Sequence, residues 1–458
     1  MTIRARRRPA AWFGVVLALA ACTPATPGPS ASASAVASAS VVPSLGIGEV
    51  VPAPGSSSTI YEPNPGAIVI AIDPGHGGCL DWGVPDPLGR AAAFSEKAMA
   101  LAIGIELRRL LEAQGIGVVM TRQGDEALAG DDYPDLGCYG APFRDVNGDG
   151  EAGFDPEGKT RTRDELQSRL DLVNLARADV LVSIHINSIT QDGVAFEIAA
   201  TQTFYTDETA WGLNATQPLA QLVQDGVVAA LDPAAAYDRQ DRGISAVNLY
   251  IVAPPLLVTT PERPDPVKQP TRGALMPAVL TEVGSITLPA EQDLLLSPVG
   301  QAAAARGIAD ALGAYLGGRQ LAVRYDALID LGAAGTVTEP VGGSGPPYWP
   351  TGLRRAGWAL GLPLRLTNTG AAPWPRGLQL LGGWEASSGQ PYLRQAPAAL
   401  NDLAIEVPPL APGESVQVVV RMSLPVMEVG IVWITLAEGG VPLTDLGSPP
   451  LQLTTSGP

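Results

Sequence analysis

The spacing of apolar residues changes along the chain, and each spacing predicts a different element. From residue 67 onward, short runs of β-branched residues alternate with stretches whose apolar residues recur every three or four positions. The runs predict buried strands at residues 68–72, 116–121, 180–184, 247–252 and 278–283. The stretches predict helices at 95–114, 162–173, 219–231 and 301–315. This alternation favours an α/β fold with a mostly parallel twisted sheet flanked by helices.

The C-terminal region has a different pattern. Three apolar runs at 360–366, 416–420 and 431–436 are separated by turn-forming residues, which predicts an antiparallel β-sandwich over 352–458. A Gly-rich segment lies within residues 319–351, which we expect to form a linker. The tryptophans of this region would form either a sugar-stacking platform or, as we favour, part of the core: Trp358, Trp374, Trp384 and Trp433.

The N-terminus predicts export from the cytoplasm. Several arginines precede an apolar run at 10–21 that is too short to span a bilayer, as in an export signal over 1–22. The run ends in Leu-Ala-Ala-Cys, which resembles a lipobox with Cys22 as the lipidated residue; a plain signal peptide is the alternative. Residues 23–66, rich in Pro, Ala and Ser, then predict a disordered tether. We therefore expect an extracytoplasmic protein anchored to the cell membrane by lipid.

The net charge of −17 argues against nucleic acid as a partner, because binding to phosphates needs Lys and Arg. Hydrophobic residues make up 46% of the chain but aromatic residues only 5%, so the cores must consist of Val, Leu, Ile and Ala.

The chain has only two histidines, and each directly follows a predicted buried strand. His76 and His185 are expected at the carboxyl ends of their strands, where ligands bind in open α/β sheets. His76 lies within Asp-Pro-Gly-His-Gly-Gly, whose small residues leave an imidazole uncovered. Two unrelated polar residues are the alternative interpretation.

Two glutamates lie where they could complete a site with these histidines. Glu96 begins a predicted helix, where it is either a simple helix-end acid or the third ligand of a catalytic zinc site. Glu282 ends a predicted strand and could exchange protons with water and the leaving amine, or be an ordinary strand-end acid.

Two further features concern the loops. If Cys22 carries lipid, Cys79 and Cys138 are the remaining thiols and we expect them to form a disulfide, with two buried free cysteines as the alternative. Asp145, Asn147 and Asp149 resemble the start of a calcium loop, although its twelfth position is a proline; an Asp/Gly turn is the favoured alternative.

Four motifs carry a resemblance to a known family. IDPGHGG at 72–78, SEKAMAL at 95–101, LQSRLDLVNLARADVLVSIHINS at 166–188 and LTEVG at 280–284 resemble zinc-dependent N-acetylmuramoyl-L-alanine amidases, with a catalytic domain at 67–318. The resemblance implies that His76, Glu96 and His185 bind Zn²⁺ and that Glu282 is the catalytic acid and base. It also implies peptidoglycan as the substrate, at the cell wall. Three polar residues match positions near the cleft of the family, as substrate contacts or as scaffold: Arg169, Asn187 and Arg242.

Some features depart from the family pattern. Ile186 follows the second histidine and Val283-Gly284 follows Glu282, and residues 125–161 and 253–275 are insertions. Two other functions stay open at this point: a peptidoglycan-binding surface protein without turnover, and a zinc peptidase that cleaves the stem peptide. The C-terminal region resembles immunoglobulin-like modules of bacterial surface proteins.

Overall fold

A computed structural model describes the greater part of the chain from residue 68 to residue 456. The described residues are 68–84, 92–133, 137–140, 142–146, 163–191, 194–208, 210–254, 273–327, 338–339, 352–354, 359–386, 398–399, 405–423 and 430–456. Within them, no helix combines the length and the apolar character needed to cross a membrane.

The N-terminal half forms an α/β domain. Its strands are β1 (Val69–Pro74), β2 (Gly117–Met120), β3 (Asp132–Tyr133), β4 (Cys138–Tyr139), β5 (Val180–Asn187), β6 (Thr190–Gln191), β7 (Val194–Ala195), β8 (Ala199–Tyr205), β9 (Arg239–Ala246) and β10 (Ala278–Ser285). Its helices are α1 (Glu96–Glu112), α2 (Arg163–Leu175), α3 (Ala210–Leu231), α4 (Pro289–Leu296) and α5 (Pro298–Gly318), with 3-10 turns at Ala92–Phe94 and Asp232–Ala234.

Six of these strands form one sheet in the order β2-β1-β5-β10-β8-β9. The first four are parallel, β8 is antiparallel to β10, and β9 is parallel to β8. Side chains alternate between the two faces of a strand, so each central strand contributes to two cores. One core includes residues of α1, α3 and α5, and the other includes residues of α2. The predicted mostly parallel sheet flanked by helices is confirmed.

The C-terminal half is built from mostly antiparallel sheets, which confirms the predicted sandwich class. Its strands are β11 (Val323–Ala327), β12 (Thr338–Glu339), β13 (Gly352–Arg354), β14 (Ala359–Asn368), β15 (Gln379–Ala386), β16 (Ala398–Ala399), β17 (Ile405–Glu406), β18 (Ser415–Ser423), β19 (Gly430–Glu438), β20 (Val441–Pro442) and β21 (Leu451–Ser456), with a 3-10 turn at Leu443–Leu446. Trp374 and Trp433 are buried, as a role in the core requires.

Two sequence-based boundaries need correction. Residues 247–252 do not form the predicted strand: the edge strand β9 ends just before them, and residues 250–252 form a turn. The sequence of β9, RQDRGISA, has too few apolar residues to predict a strand. In the predicted linker 319–351, β11 pairs with β14 and therefore belongs to the C-terminal sheets.

The two halves touch at the amino-terminal end of β5. Asp179, one residue before β5, lies 3.6 Å from Arg324, and Arg177 lies 3.1 Å from Asp326. His185 is near the other end of the same strand. The C-terminal module therefore contacts the sheet at the end of its strands that lies opposite to the two histidines.

Candidate metal centre

The loop after β1 fixes His76 by backbone and side chain together. His76 has a φ of 60°, in the left-handed region, which costs a non-glycine residue about 1 kcal/mol or more. Its Nδ1 lies 2.6 Å from Oδ1 of Asp81. Its other ring nitrogen, Nε2, lies 3.1 Å from Oε1 of Glu96. The imidazole is thus held between two carboxylates.

Glu96 and His185 meet His76 at the same point. The Oε2 of Glu96 accepts a hydrogen bond from the backbone N–H of Val84 at 2.9 Å, and its Oε1 accepts one from Ile186 at 3.1 Å. Nδ1 of His185 lies 3.0 Å from the same Oε1. The centroids of the two imidazole rings are 4.7 Å apart. Side chains from three separate segments of the sequence therefore meet at the carboxylate of Glu96.

The three side chains have the arrangement that a zinc ion requires. One donor atom from each of His76, Glu96 and His185 lies within 4.8 Å of the other two. Bonds of about 2.0–2.2 Å in a tetrahedral zinc site put donor atoms about 3.4 Å apart. The separations of 3.1 and 3.0 Å to Glu96 are close to this value. Two imidazole nitrogens and one carboxylate oxygen are a donor set of catalytic zinc sites, so the residues fit Zn²⁺.

Two glycines provide the space for this cluster. A Cβ at Gly75 would overlap the imidazole of His185, and a Cβ at Gly83 would lie 2.8 Å from Cδ of Glu96. Gly83 also has a φ of +68°. The small residues around His76 are thus required by the packing of the other two side chains.

Two buried arginines hold the backbone of the His76 loop. Arg122 donates to the carbonyl oxygens of Pro74 and Gly75, each at 2.9 Å. Arg169 donates to Pro74 at 2.9 Å and to the carbonyl of His76 at 2.6 Å. Three successive carbonyl groups are therefore bonded to guanidinium groups. This explains how the strained conformation of His76 is maintained.

The charge of Arg169 is compensated inside the protein. Its Nη1 lies 2.9 Å from Asp73 and its Nη2 lies 2.8 Å from Glu165. The hydroxyl groups of Thr121 and Ser183 each donate to Asp73 at 2.6 Å. Arg169 is 1% exposed and its contacts are those of a scaffold residue, one of the two roles expected for it; its contact with substrate stays a prediction.

A covalent bond ties the same loop to the following segment. Cys79 and Cys138 form a disulfide with their Cα atoms 5.7 Å apart, which connects β4 to the loop of His76. The backbone N–H of Cys79 donates to Asp131 at 3.0 Å. Buried Lys97 donates to the carbonyl of Gly78 at 2.7 Å. One wall of the site is thus held by a disulfide and by ionic hydrogen bonds.

Glu282 lies beside the group formed by His76, Glu96 and His185. In the parallel pairing of β10 with β5, Glu282 is directly opposite His185, so both side chains lie on the same face of the sheet. Glu282 is 9% exposed, and its Oε2 has no hydrogen-bond partner within the described part of the protein. A buried carboxylate oxygen without a donor is costly in a folded protein and is typical of a site that binds a ligand.

Burial and neighbouring charges shift the pKa values of Glu96, His76 and Glu282 in different directions. Burial would raise the pKa of Glu96, but His76 and His185 hold it well below its usual range. Burial would lower the pKa of His76, but Asp81 and Glu96 raise it well above its usual value. For Glu282, burial and then the charge of Glu96 raise the pKa well above its usual value. Groups with such opposed shifts, gathered at one sheet edge, are typical of active sites.

The other two residues predicted to contact substrate lie on β5 and β9. Asn187 ends β5, two positions after His185, is half-buried, and accepts a hydrogen bond from Ile286 through its backbone oxygen at 2.8 Å. Arg242 is half-buried on the edge strand β9. Their contact with substrate stays a prediction.

Several predicted residues fall outside the described residues. These are Cys22, Asn147, Asp149 and Trp358; Asp145 is described and half-buried. Calcium binding and lipidation therefore stay predictions.

Sequence reasoning missed two parts of the site. Asp81 could have been found, since a carboxylate five residues after a candidate ligand histidine is a typical hydrogen-bond partner for it. Arg122 gave no such signal, because its partners are backbone carbonyls 47 and 48 positions earlier.

The chain matches the family model described as N-acetylmuramoyl-L-alanine amidase over residues 70–314, more than half of its 458 residues. A germination-specific N-acetylmuramoyl-L-alanine amidase of Bacillus subtilis is 25% identical to it over 230 residues, which cover 50% of this chain and 72% of the relative.

Solved structures resemble the same part. An N-acetylmuramoyl-L-alanine amidase from Clostridium difficile 630 is 25% identical with a TM-score of 0.37, and covers 55% of this chain and 97% of its own. The CwlD amidase from Clostridioides difficile, solved in complex with the GerS lipoprotein, is 22% identical with a TM-score of 0.37, over 54% of this chain and 98% of its own.

Proposed function

The chain belongs to the N-acetylmuramoyl-L-alanine amidase family, and from this premise we propose that its activity depends on Zn²⁺ held by His76, Glu96 and His185. The reaction is hydrolysis of the amide bond between N-acetylmuramic acid and L-alanine in peptidoglycan. The convergence of the three donor atoms is the observation that carries the zinc proposal.

When bound, zinc would polarise the amide carbonyl and lower the pKa of water at the site. The protein residues prepare this chemistry. Asp81 orients the ring of His76, and the hydrogen bonds from Val84 and Ile186 orient the carboxylate of Glu96. Such outer contacts fix the ligand positions before the substrate binds.

Glu282 is proposed to carry the proton. It takes a proton from the attacking water and delivers it to the departing nitrogen, since an amide nitrogen cannot leave as an anion. Its place opposite His185, its burial and its raised pKa support this role. The products are a free lactyl carboxyl group on the sugar and a free amino group on L-alanine.

Location and wall contacts belong to the same proposal. Lipidation of Cys22 and the tether at 23–66 would place the catalytic domain outside the membrane, within reach of the wall. The C-terminal module contacts the catalytic domain at Arg177 and Asp179, at the end of β5 away from His185. This position supports a metal centre that a glycan strand can reach. Asn187 and Arg242 are proposed to contact the substrate.

Incubation of purified sacculi with the zinc-loaded protein tests this function. We expect new amino groups in the soluble fraction, and mass spectrometry should find intact stem peptides that begin with L-alanine. A wall-binding protein without turnover would release no amines. A peptidase would release shortened stems, and either result would contradict the proposal.

A further inference from the structure

A row of polar side chains crosses three neighbouring strands next to the metal centre. His185 in β5 is opposite Glu282 in β10, and Glu282 is opposite Gln202 in β8. Directly opposed residues of an antiparallel pair have side chains on the same face, with Cβ atoms about 4.5–5.5 Å apart. Gln202 is therefore the neighbour of Glu282 on the side away from His185.

Gln202 has an unused acceptor in this position. Its side chain is 5% exposed, and its Nε2 donates to the hydroxyl of Ser245 at 3.0 Å. Its Oε1 has no hydrogen-bond partner among the described residues, and the same is true of Oε2 of Glu282. Two buried oxygens without hydrogen-bond partners, on directly opposed residues, are costly for stability. A bound molecule with N–H groups would satisfy both.

The row continues toward the edge of the sheet. The register of β9 against β8 shifts at Gln202, so two residues of β9, Arg242 and Gly243, lie opposite it. The row thus leads from the candidate metal ligand to an edge strand, and a ligand that follows it passes Glu282, Gln202 and Arg242 in that order.

We propose that Oε1 of Gln202 accepts an N–H of the stem peptide and that the peptide lies along this row from Glu282 toward Arg242. The inference rests on the proposed function. In hydrolysis the C–N bond breaks, the hydroxyl group of water joins the carbonyl carbon, and the proton of water ends on nitrogen. The nitrogen has one N–H before cleavage and two or three afterwards. An acceptor beside Glu282 orients this nitrogen toward the proton donor and then holds the amine.

The test compares Gln202→Met with Ser245→Ala. Methionine keeps the length of the side chain and removes the amide, whereas Ser245→Ala removes only the internal partner of Gln202. We expect Gln202→Met to lower kcat/KM on purified muropeptide by about tenfold or more, with unchanged zinc content and melting temperature. Ser245→Ala should stay within about threefold of wild type. Equal losses in the two variants, or no loss in Gln202→Met, would overturn the inference.

Binding of the product separates this inference from the proposed function. The probe is a stem peptide with a free N-terminal L-alanine, titrated into the zinc-loaded protein by calorimetry. Gln202→Met should weaken binding about tenfold or more, while Ser245→Ala, which keeps the acceptor oxygen of Gln202, should remain within about threefold of wild type. A wild-type protein that binds the peptide through Gln202 but opens no amide bond would overturn the amidase proposal alone. Hydrolysis by the wild type with equal peptide binding in all variants would overturn the role of Gln202 alone.

Discussion

Gly75 lies so close to His185 that a side chain at position 75 cannot be accommodated. A Cβ there would come within 2.7 Å of Cδ2 of the imidazole and closer still to Cε1 and Nε2. Real Cβ atoms do not approach ring atoms so closely, so the ring would have to move. The loop that carries one candidate ligand thus sets the position of another.

Gly75→Ala is therefore expected to weaken zinc binding about 10- to 100-fold, the usual effect of disturbing groups that support a ligand. Zinc affinity measured by competition with a chelator checks this. Gly124→Ala is the matched control, since a Cβ there would meet its nearest atom at 3.5 Å, an ordinary contact. Equal affinities in both variants would show that His185 is not confined by Gly75.

Arg169→Met is expected to destabilise the fold rather than to affect substrate binding alone. It leaves Asp73 and Glu165 without their buried partner, and breaking such a pair costs about 3–5 kcal/mol. Chemical denaturation measures the loss, and zinc affinity should fall with it. Arg242→Met, on an edge strand, should change the free energy of unfolding by less than about 0.5 kcal/mol. An Arg169 variant with normal stability and a raised KM would favour substrate contact over the scaffold role.

Glu282→Gln is expected to keep zinc and to lose turnover by at least about a hundredfold, because an amide of the same size cannot take up a proton. Metal content and amine release from sacculi measure the two effects. Glu112→Gln makes the same chemical change at a side chain that is 55% exposed, and it should leave turnover unaltered. Retained activity in Glu282→Gln would remove this residue from the mechanism.

Zinc should stabilise the protein more as the pH rises. In the metal-free protein the pKa of His76 is raised well above 6.5, so its protonation stabilises the fold below pH 6.5 and this contribution is lost as pH rises through the raised value. Zinc must displace the same proton. The increase in Tm on adding zinc should therefore grow from pH 6.5 upward. Asp81→Asn removes a carboxylate that raises the pKa of His76, so the zinc-induced increase in Tm should depend less on pH in this variant. A zinc-induced increase in Tm that is largest at low pH would contradict the role of His76 as a zinc ligand.

Local patterns in the sequence were enough to predict much of the fold. The β-branched runs identify the central strands, because those strands are buried on both faces, and the two histidines follow such runs. The edge strand Arg239–Ala246 was missed because its polar side chains lack that pattern. The individual hydrogen bonds of Arg169 with Asp73 and His76 could not be predicted, since they join residues 96 and 93 positions apart. Such contacts depend on the register of the sheet, which local patterns do not encode.

The most direct test is a crystal structure of the zinc-loaded protein with anomalous data collected at the zinc edge. We expect one ion in the catalytic domain, bound at about 2.0–2.2 Å by Nε2 of His76, Nδ1 of His185 and a carboxylate oxygen of Glu96. An anomalous peak elsewhere, or imidazoles of His76 and His185 that do not share one ion, would contradict the account.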